Sequence, residues 1–304
     1  MIYRCSMKNL KKYIMLMMAL TYIKYPAQAE IMSIKTIKEV DNIIENLLKN
    51  QKPENILLAF DVDMTLIQPD HPAVYYPAIK KYMDVYKLIL GHLTPAQKDL
   101  VATLTTQIVP QKLVEKDAPK IIKNIQNKDV KVIAITSSLA GKVENFRNKM
   151  IFIRRDQLQK MGFDFTHTFK NFVSVMTFQH FKEYASGYPM FYHGILSTNG
   201  EGDVSKGSLL TALLSHVGPH YACKVQKSGY YPKVLILVDD NKQQLESIEA
   251  LLKACNPLIQ FIGIEYGVGV TYAPRDISKE DFQKFWENLA NRTKRVKFQA
   301  RWYH

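Results

Sequence analysis

The stretch Asn55-Ile-Leu-Leu-Ala-Phe-Asp-Val-Asp-Met-Thr-Leu66 joins an unbroken apolar run to two closely spaced carboxylates. Its first half, residues 55–60, has the form of a strand that is buried on both faces of a parallel sheet. Asp61 and Asp63 follow at the carboxyl end of that strand. Because two like charges so close together repel each other, burying them is costly unless they face a metal ion or hydrogen-bond donors.

Three similar apolar runs follow along the chain, and helical patterns separate them. The runs are Val130-Lys-Val-Ile-Ala-Ile135, Val234-Leu-Ile-Leu-Val238 and Leu258-Ile-Gln-Phe-Ile-Gly-Ile264. The helical patterns cover residues 37–50, 118–126, 208–217 and 242–254. Strands that alternate with helices predict an open α/β sheet with right-handed crossovers.

Two long segments interrupt this alternation. Residues 73–108 have helical patterns broken at Gly91 and at Thr94-Pro95. They are too many for a connection and too apolar for a disordered linker, so we expect a helical cap over the carboxyl edge of the sheet. A second insertion spans about 139–203 and includes Met190-Phe-Tyr-His-Gly-Ile-Leu196, which has the pattern of a strand. The predicted α/β core therefore comprises residues 30–72 and 109–291, and residues 292–304 form a basic tail.

The composition is that of a globular protein with a basic surplus. The 304 residues carry a formal charge of +13, from 41 Lys and Arg against 28 Asp and Glu. Five of the positive charges lie in the first 29 residues, which leaves 36 against 28, or +8, for the rest. Such a surplus favours anionic ligands without identifying them. The basic tail is interpreted as a helix end with a solvated segment, and nucleic acid is not expected as a partner.

Residues 1–29 have the three parts of a signal peptide. A basic start precedes an apolar run of about 11 residues, which is short of the ~20 that span a bilayer. Ala27-Gln-Ala29 then places small residues where signal peptidase cleaves. We expect cleavage after Ala29 and an exported protein, periplasmic or secreted, without stable membrane insertion. The alternative is an uncleaved anchor, which Lys24 and Pro26 disfavour.

The three cysteines, Cys5, Cys223 and Cys255, do not have the spacing of a zinc site. After cleavage Cys223 and Cys255 would remain, in an oxidising compartment if the chain is exported. A disulfide between them and two free thiols both stay open, because a bridge needs Cα atoms within roughly 7 Å. The oligomeric state is also left open by the sequence.

Three further polar segments follow strand ends or begin helices on the side of the sheet where ligands bind in open α/β folds. They are Thr136-Ser137-Ser138, Lys206-Gly207 and Asp239-Asp240-Asn241. Two acidic pairs at two strand ends predict a site for a hard cation. Taken singly, Thr136 could be a helix N-cap and Asp239-Asp240 a capped turn. The four segments together are harder to explain in that way.

The order and chemistry of these segments over residues 55–265 resemble the haloacid dehalogenase superfamily. Its four motifs would correspond to Asp61 and Asp63, Thr136, Lys206, and Asp239 and Asp240. The resemblance implies a Rossmann-like, doubly wound and mainly parallel sheet with a mobile cap, and Mg²⁺-assisted attack by the first Asp on a phosphoryl group. The signal peptide, the helical insertion and residues 194–207 also resemble a small family of exported bacterial proteins of undefined function. Ser138 departs from versions of the second motif that have Arg there.

The residue types suit phosphoryl transfer on chemical grounds as well. Asp61 offers a carboxylate nucleophile that can form an aspartyl-phosphate and so divide one hard hydrolysis into two steps. Asp63 can protonate the leaving alkoxide and then deprotonate water. A halide leaves without a proton, so the presence of Asp63 favours phosphoryl transfer over dehalogenation.

Mg²⁺ prefers oxygen ligands in an octahedron that retains several waters. Asp61, the backbone carbonyl of Asp63 and a carboxylate of Asp239 or Asp240 are the predicted ligands. The phosphate oxygens would be held by Thr136, Ser137 and Lys206.

The leading functional hypothesis is therefore an exported, Mg²⁺-dependent phosphatase acting on small phosphomonoesters through an aspartyl-phosphate. One alternative is a binding or host-interaction protein that keeps the fold with weak or no turnover. Another is a phosphotransferase that uses the same residues. The absence of a P-loop sequence and of a Gly-x-Ser-x-Gly motif argues against the commonest nucleotide triphosphatases and serine hydrolases.

Processing of the chain is directly testable. Mass spectrometry of the protein recovered from exporting cells should show a mature chain that begins at Glu30, because Ala27 and Ala29 fit the cleavage site. A chain that retains Met1 and fractionates with membranes would contradict the signal-peptide interpretation.

Overall fold

The computed structural model describes residues 30–142, 149–169, 174–185, 187–200, 204–215, 232–271 and 276–295. Among them the strands are β1 (Glu30–Ser33), β2 (Ile56–Asp61), β3 (Ile67–Pro69), β4 (Gln111–Leu113), β5 (Lys131–Thr136), β6 (Val175–Thr177), β7 (Met190–Tyr192), β8 (Ile195–Ser197), β9 (Val234–Asp239) and β10 (Gln260–Glu265). The helices are α1 (Ile37–Leu48), α2 (Tyr76–Lys81), α3 (Met83–Gly91), α4 (Pro95–Ile108), α5 (Ala118–Asn127), α6 (Met150–Lys160), α7 (Lys206–Ser215), α8 (Lys242–Cys255), α9 (Val268–Thr271) and α10 (Lys279–Lys294).

The central sheet confirms the predicted α/β class with a mainly parallel sheet. Eight of the described strands follow the order β1-β10-β9-β2-β5-β8-β7-β6. Neighbours from β1 to β8 in this order run parallel, whereas β7 and β6 are antiparallel additions at one edge. The four predicted apolar runs correspond to β2, β5, β9 and β10, which lie side by side with only β8 and β1 flanking them.

Strand β2 is buried on both faces, and its alternate residues enter two separate apolar clusters. Ile56, Leu58 and Phe60 pack with the apolar faces of α1 and α5. Leu57 and Ala59 point to the other side, towards α7 and α8. Helices therefore cover both faces of the sheet, which explains why the strand reads as a continuous apolar run rather than an alternating one.

The predicted helical insertion, residues 73–108, contains α2, α3 and α4 and forms a third apolar cluster with the C-terminal helix α10. Trp286 of α10 is buried there and donates its indole N–H to the carbonyl of Ala73 at 2.9 Å. The helix continues to Lys294, so the expected boundary between core and basic tail at residue 291 falls inside it. Helix α10, expected to belong to the α/β core, packs instead on the insertion.

The second insertion, expected over about 139–203, also differs from the expectation because its strands β6, β7 and β8 belong to the central sheet. Residues 190–196 were predicted as one strand, but they form part of a hairpin in which β7 and β8 meet at His193-Gly194. Both turn residues have positive φ, 47° and 84°, as a two-residue hairpin turn requires. Strand β8 then pairs with β5 in parallel, next to Thr136.

Several predictions concern residues outside the described ranges. The signal peptide of residues 1–29, Cys5, Cys223 and the end of the basic tail belong to this group. Cys255 is disulfide-bonded. Cys223, whose pairing with Cys255 the sequence leaves open, lies outside the described residues. Within the described ranges, none of the helices combines the length and the apolar character needed to cross a membrane.

Gly194 provides a test of the hairpin. A Cβ at this position would lie 2.1 Å from the carbonyl oxygen of Phe165, and the φ of 84° is unfavourable for any L side chain. We expect Gly194→Ala to lower the free energy of unfolding by at least about 2 kcal/mol, measured by urea denaturation.

Gly91→Ala is the matched control. Gly91 is the last residue of α3, and no atom lies within 4 Å of a Cβ built there. Alanine should leave stability unchanged or raise it by up to about 1 kcal/mol. Equal effects of the two substitutions would contradict the described hairpin geometry.

Candidate functional site

Three adjacent parallel strands end at the same edge of the sheet and bring their terminal residues together. The register pairs Asp61 with Ile135 between β2 and β5, and Phe60 with Val238 between β2 and β9. Asp61, Thr136 and Asp239 are the last residues of these three strands. The sheet topology therefore assembles the predicted site residues from separate parts of the sequence.

Lys206 connects two of these strand ends. Ser205 accepts the backbone N–H of Ser208 at 3.1 Å, a cap that begins α7 at Lys206. The buried ammonium donates to Asp61 Oδ1 at 2.6 Å and to Asp239 Oδ2 at 2.7 Å. Burial disfavours the charged amine, but Asp61 and Asp239 outweigh it and raise the Lys206 pKa above its ordinary value. Lys206 is therefore charged at neutral pH.

Asp61, Asp239 and Asp240 form an acidic cluster that could hold a metal ion. One carboxylate oxygen from each residue lies within 4.8 Å of the others. Burial raises the Asp61 pKa well above its ordinary value, with Lys206 opposing this effect and Asp239 and Asp240 adding to it. Burial and the charge of Asp239 raise the pKa of Asp240 to about 6. A bound cation would relieve the repulsion among the three carboxylates, which adds to the effect of burial.

The charge of the whole site also favours a divalent cation. Four carboxylates, Asp61, Asp63, Asp239 and Asp240, face two cationic side chains, Lys206 and Arg154. When all six are ionised, two negative charges remain without compensation. Three carboxylates supply the oxygen ligands that hard cations prefer.

The carboxylate of Asp63 lies apart from the acidic cluster. Its Oδ2 accepts the hydroxyl of Thr136 at 3.2 Å and a guanidinium N–H of Arg154 at 3.1 Å. The loop after β2 turns sharply at Met64, whose φ is 67°. About a third of the Asp63 side chain is exposed, whereas its Oδ1 is buried next to Arg154.

Arg154 is a site residue that the sequence analysis missed. It lies in α6, is 1% exposed, and places Nη2 3.0 Å from Asp63 Oδ1 and 3.0 Å from the hydroxyl of Thr106. Its Nη1 donates to Gln157 at 2.9 Å. A signal was present, because Ile151, Arg154 and Leu158 share the buried stripe of α6. An Arg on such a stripe indicates a paired, buried charge.

Three hydroxyl-bearing residues lie at the end of β5, next to Asp63: Thr136, Ser137 and Ser138. Thr136 Oγ1 lies 2.9 Å from Ser138 Oγ and accepts the Ser138 backbone N–H at 3.1 Å. This bond closes a turn after β5, and the next described helix begins only at Met150, so the alternative of Thr136 as a helix N-cap is wrong.

The end of β9 combines a turn with the acidic cluster. Asp239 Oδ1 accepts the backbone N–H of Asn241 at 2.9 Å, and Asn241 caps α8. The capped-turn interpretation of this segment therefore describes its backbone correctly. It does not account for the other oxygen of Asp239, which binds Lys206, or for the nearby carboxylate of Asp240.

Comparisons with known proteins identify relatives without assigning an activity. A family model described as "Protein of unknown function (DUF2608)" matches residues 33–295. An uncharacterized protein of Rickettsia bellii is 26% identical over 264 residues, covering 84% of this chain and 83% of its own. Uncharacterized proteins of Rickettsia conorii and Rickettsia felis are each 24% identical, covering 88% and 94% of this chain and 86% and 91% of their own. No solved structure matches the chain.

The contact between Arg154 and Asp63 can be measured by a double-mutant cycle. We expect Arg154→Met to lower the free energy of unfolding by about 1.5–3 kcal/mol, since it removes charge-assisted hydrogen bonds. Combined with Asp63→Asn, the loss should be less than the sum of the two single losses, by about 1 kcal/mol or more. Urea denaturation of the four proteins gives these values.

Arg155→Met is the matched control for that cycle. The Arg155 guanidinium contacts Asp156 and the hydroxyl of Tyr192 rather than Asp63. Its effect should therefore add to that of Asp63→Asn without coupling. Additivity of Arg154→Met with Asp63→Asn would contradict the described ion pair.

Proposed function

We propose that this chain, which belongs to the family described as "Protein of unknown function (DUF2608)", is an Mg²⁺-dependent phosphatase that hydrolyses small phosphomonoesters. The observation that carries the proposal is the meeting of Asp61, Asp239, Asp240 and Lys206 at one edge of a parallel sheet. This arrangement offers a nucleophile, oxygen ligands for a cation and a fixed positive charge within one small volume.

We infer further that the chain is a divergent member of the haloacid dehalogenase superfamily. The order of the four motifs along the chain and their convergence at neighbouring strand ends support this inference. In such a protein the helices α2, α3 and α4 would be the cap. The cavity of about 700 Å³ between these helices and the site is consistent with that role.

Asp61 would be the nucleophile. Its Oδ1 accepts from Lys206 and its Oδ2 accepts the Thr65 hydroxyl at 3.3 Å, so both oxygens are oriented before a substrate arrives. In the first step an Asp61 oxygen forms a bond to phosphorus, and the bond from phosphorus to the ester oxygen breaks. In the second step water attacks phosphorus, which releases inorganic phosphate and restores the carboxylate.

Asp63 would move the proton in both steps. The leaving alkoxide takes a proton from the Asp63 carboxyl, and the resulting carboxylate then accepts a proton from the attacking water. The side chain suits this role because it is partly exposed and lines the cavity. Arg154 and Thr136 hold it in one position, so Arg154 would act as a positioning residue.

The remaining polar groups would bind the phosphoryl oxygens. Lys206, Thr136 and Ser137 lie around the strand ends and can offset the charge that accumulates there during transfer. Asp61, Asp239 and Asp240 would hold Mg²⁺, which when bound polarises the phosphoryl group and neutralises its charge.

Export would place this activity outside the cytoplasm. The signal-peptide pattern of residues 1–29 supports export, and the surplus of +8 in the remaining residues favours the approach of anionic phosphoesters. The proposed substrate is therefore a small phosphorylated compound of the periplasm or of the surroundings of the cell.

A panel of phosphomonoesters, assayed with Mg²⁺ and with EDTA, tests the proposal. Phosphate release should be lost with EDTA and restored by excess Mg²⁺, because the acidic cluster needs a cation to bind the phosphoryl group. Adding acceptor alcohols and analysing the products separates hydrolysis from phosphotransfer. Absence of turnover on the whole panel, with Mg²⁺ bound, would instead favour a binding protein.

Asn variants of the two aspartates should fail differently. Asp61→Asn removes the nucleophile, so phosphoenzyme and turnover should both disappear. Asp63→Asn weakens the contact with Arg154 and removes proton transfer but keeps the nucleophile, so an alkyl phosphate should react about 10²–10⁴-fold more slowly. With p-nitrophenyl phosphate, whose phenolate leaves readily, the first step should be affected less and the phosphoenzyme should accumulate. Acid-quench trapping of the phosphoenzyme, with turnover on both substrates, measures this difference.

Asp276→Asn is the control for these variants. Its side chain is 97% exposed and, within the described ranges, forms a surface ion pair with Lys81 at 3.5 Å, so turnover should stay at the level of the unmodified protein. Wild-type turnover in Asp61→Asn would exclude Asp61 as the nucleophile and with it the proposed mechanism.

A further inference from the structure

The cavity next to the candidate site is much larger than a phosphoryl group requires. Asp63, Ser138 and Arg154 line it on the side of the site, and helices α3, α4 and α10 line it on the other side. Its volume of about 700 Å³ lies within the range of about 300–1,000 Å³ typical of small-molecule pockets. Most of this space would therefore be filled by the organic body of the ligand, to which the phosphate is attached.

The walls away from the site contain a group of apolar side chains among polar ones. Val74, Leu90, Val101 and Trp286 line the cavity and belong to the third apolar cluster. The ring of Tyr86, which also lines it, packs edge-on against Trp286 with centroids 4.7 Å apart. Because these side chains come from packed helices, the apolar surface is held in place before a ligand binds.

The threonines on the same walls offer few hydrogen-bond donors to a ligand. Thr105 donates its hydroxyl to the carbonyl of Val101 at 2.7 Å, and Thr106 donates to the carbonyl of Thr103 at 2.8 Å. Both donors are thus used by the backbone of α4. A sugar or polyol in this space would lose hydrogen bonds to water without full replacement, which weakens binding.

We propose that the ligand of this cavity is a phosphomonoester with an apolar leaving group, an alkyl or aryl body that packs between α3, α4 and Trp286 while the phosphate faces Asp63. The cleavage of such an ester rests on the proposed phosphatase function, whereas its binding does not. Lys87 and Lys98, both exposed, line the cavity together with Asp99. These three side chains leave one net positive charge, which favours the approach of an anionic amphiphile.

Calorimetry with n-alkylphosphonates tests the binding step without turnover, because their carbon–phosphorus bond is not hydrolysed. In excess Mg²⁺, affinity should rise from methyl- to butyl- to octylphosphonate, about three- to fourfold for each methylene that is buried. We expect octylphosphonate to bind at least about a hundredfold more tightly than methylphosphonate. 2,3-Dihydroxypropylphosphonate should bind no better than methylphosphonate. A flat series, or tighter binding of the dihydroxy compound, would overturn the proposal.

A substitution that reduces the cavity locates the effect. Ala102 lies in α4, lines the cavity and is exposed, so Ala102→Leu adds apolar volume there without disturbing buried packing. The ratio of octyl to methyl affinity should fall at least about fivefold. Ala250→Leu makes the same change at an exposed position of α8 and should leave the ratio as it is. Equal ratios in Ala102→Leu and the unmodified protein would place the alkyl chain elsewhere and contradict the proposal.

Hydrolysis of the matching alkyl phosphates separates this proposal from the phosphatase function. If octylphosphonate binds tightly and no alkyl phosphate is hydrolysed, the phosphatase function fails and the apolar binding site is supported. If methyl and octyl phosphate are hydrolysed with equal kcat/KM, the phosphatase function is supported and the apolar site is rejected.

Discussion

The buried contact of Lys206 with Asp61 and Asp239 is the interaction on which the rest of the site depends. It joins the start of α7 to the ends of β2 and β9, at 2.6 and 2.7 Å, with all three side chains buried. Removing charges from water costs about as much as such a contact returns, so its value for stability is small. Its main consequence is for geometry. Loss of either carboxylate would leave the charge of the buried Lys206 ammonium without full compensation, so both carboxylates must stay next to it. The contact therefore constrains where α7 packs and which way the two carboxylates point.

The parts of the fold that could be predicted are those governed by local pattern. Strands β2, β5, β9 and β10 are buried on both faces, so their apolar runs were visible in the sequence. Because parallel strands end at the same edge of a sheet, the sequence also predicts that Asp61, Thr136 and Asp239 lie close together. Lys206 could be added because it begins a helix near that edge. Each of these inferences needs only strand direction and side-chain chemistry.

The parts that could not be predicted depend on contacts between distant segments. The packing of α10 on the helical insertion joins residues about 200 positions apart through Trp286 and Ala73, and neither segment's pattern names its partner. The β7–β8 hairpin was missed because the residues on both sides of His193-Gly194 are apolar or aromatic, so the whole stretch has the pattern of one strand. Arg154 was missed because its role depends on a partner 91 positions earlier in the chain. These features follow from tertiary contacts that override local periodicity.

The two cationic side chains of the site, Lys206 and Arg154, differ in their contacts with the helical insertion. Among the described residues, the ammonium of Lys206 in α7 donates to Asp61 and Asp239 at the ends of strands. Arg154 instead contacts both Asp63 and Thr106 of α4, and its neighbour Gln157 donates to the Thr106 carbonyl at 2.6 Å. A displacement of α4 relative to α6 would therefore break bonds that orient Arg154, the partner of Asp63. Arg154, which also lines the cavity beside α4, thus connects that cavity to the proposed proton donor, whereas Asp61 and Asp239 are held by Lys206.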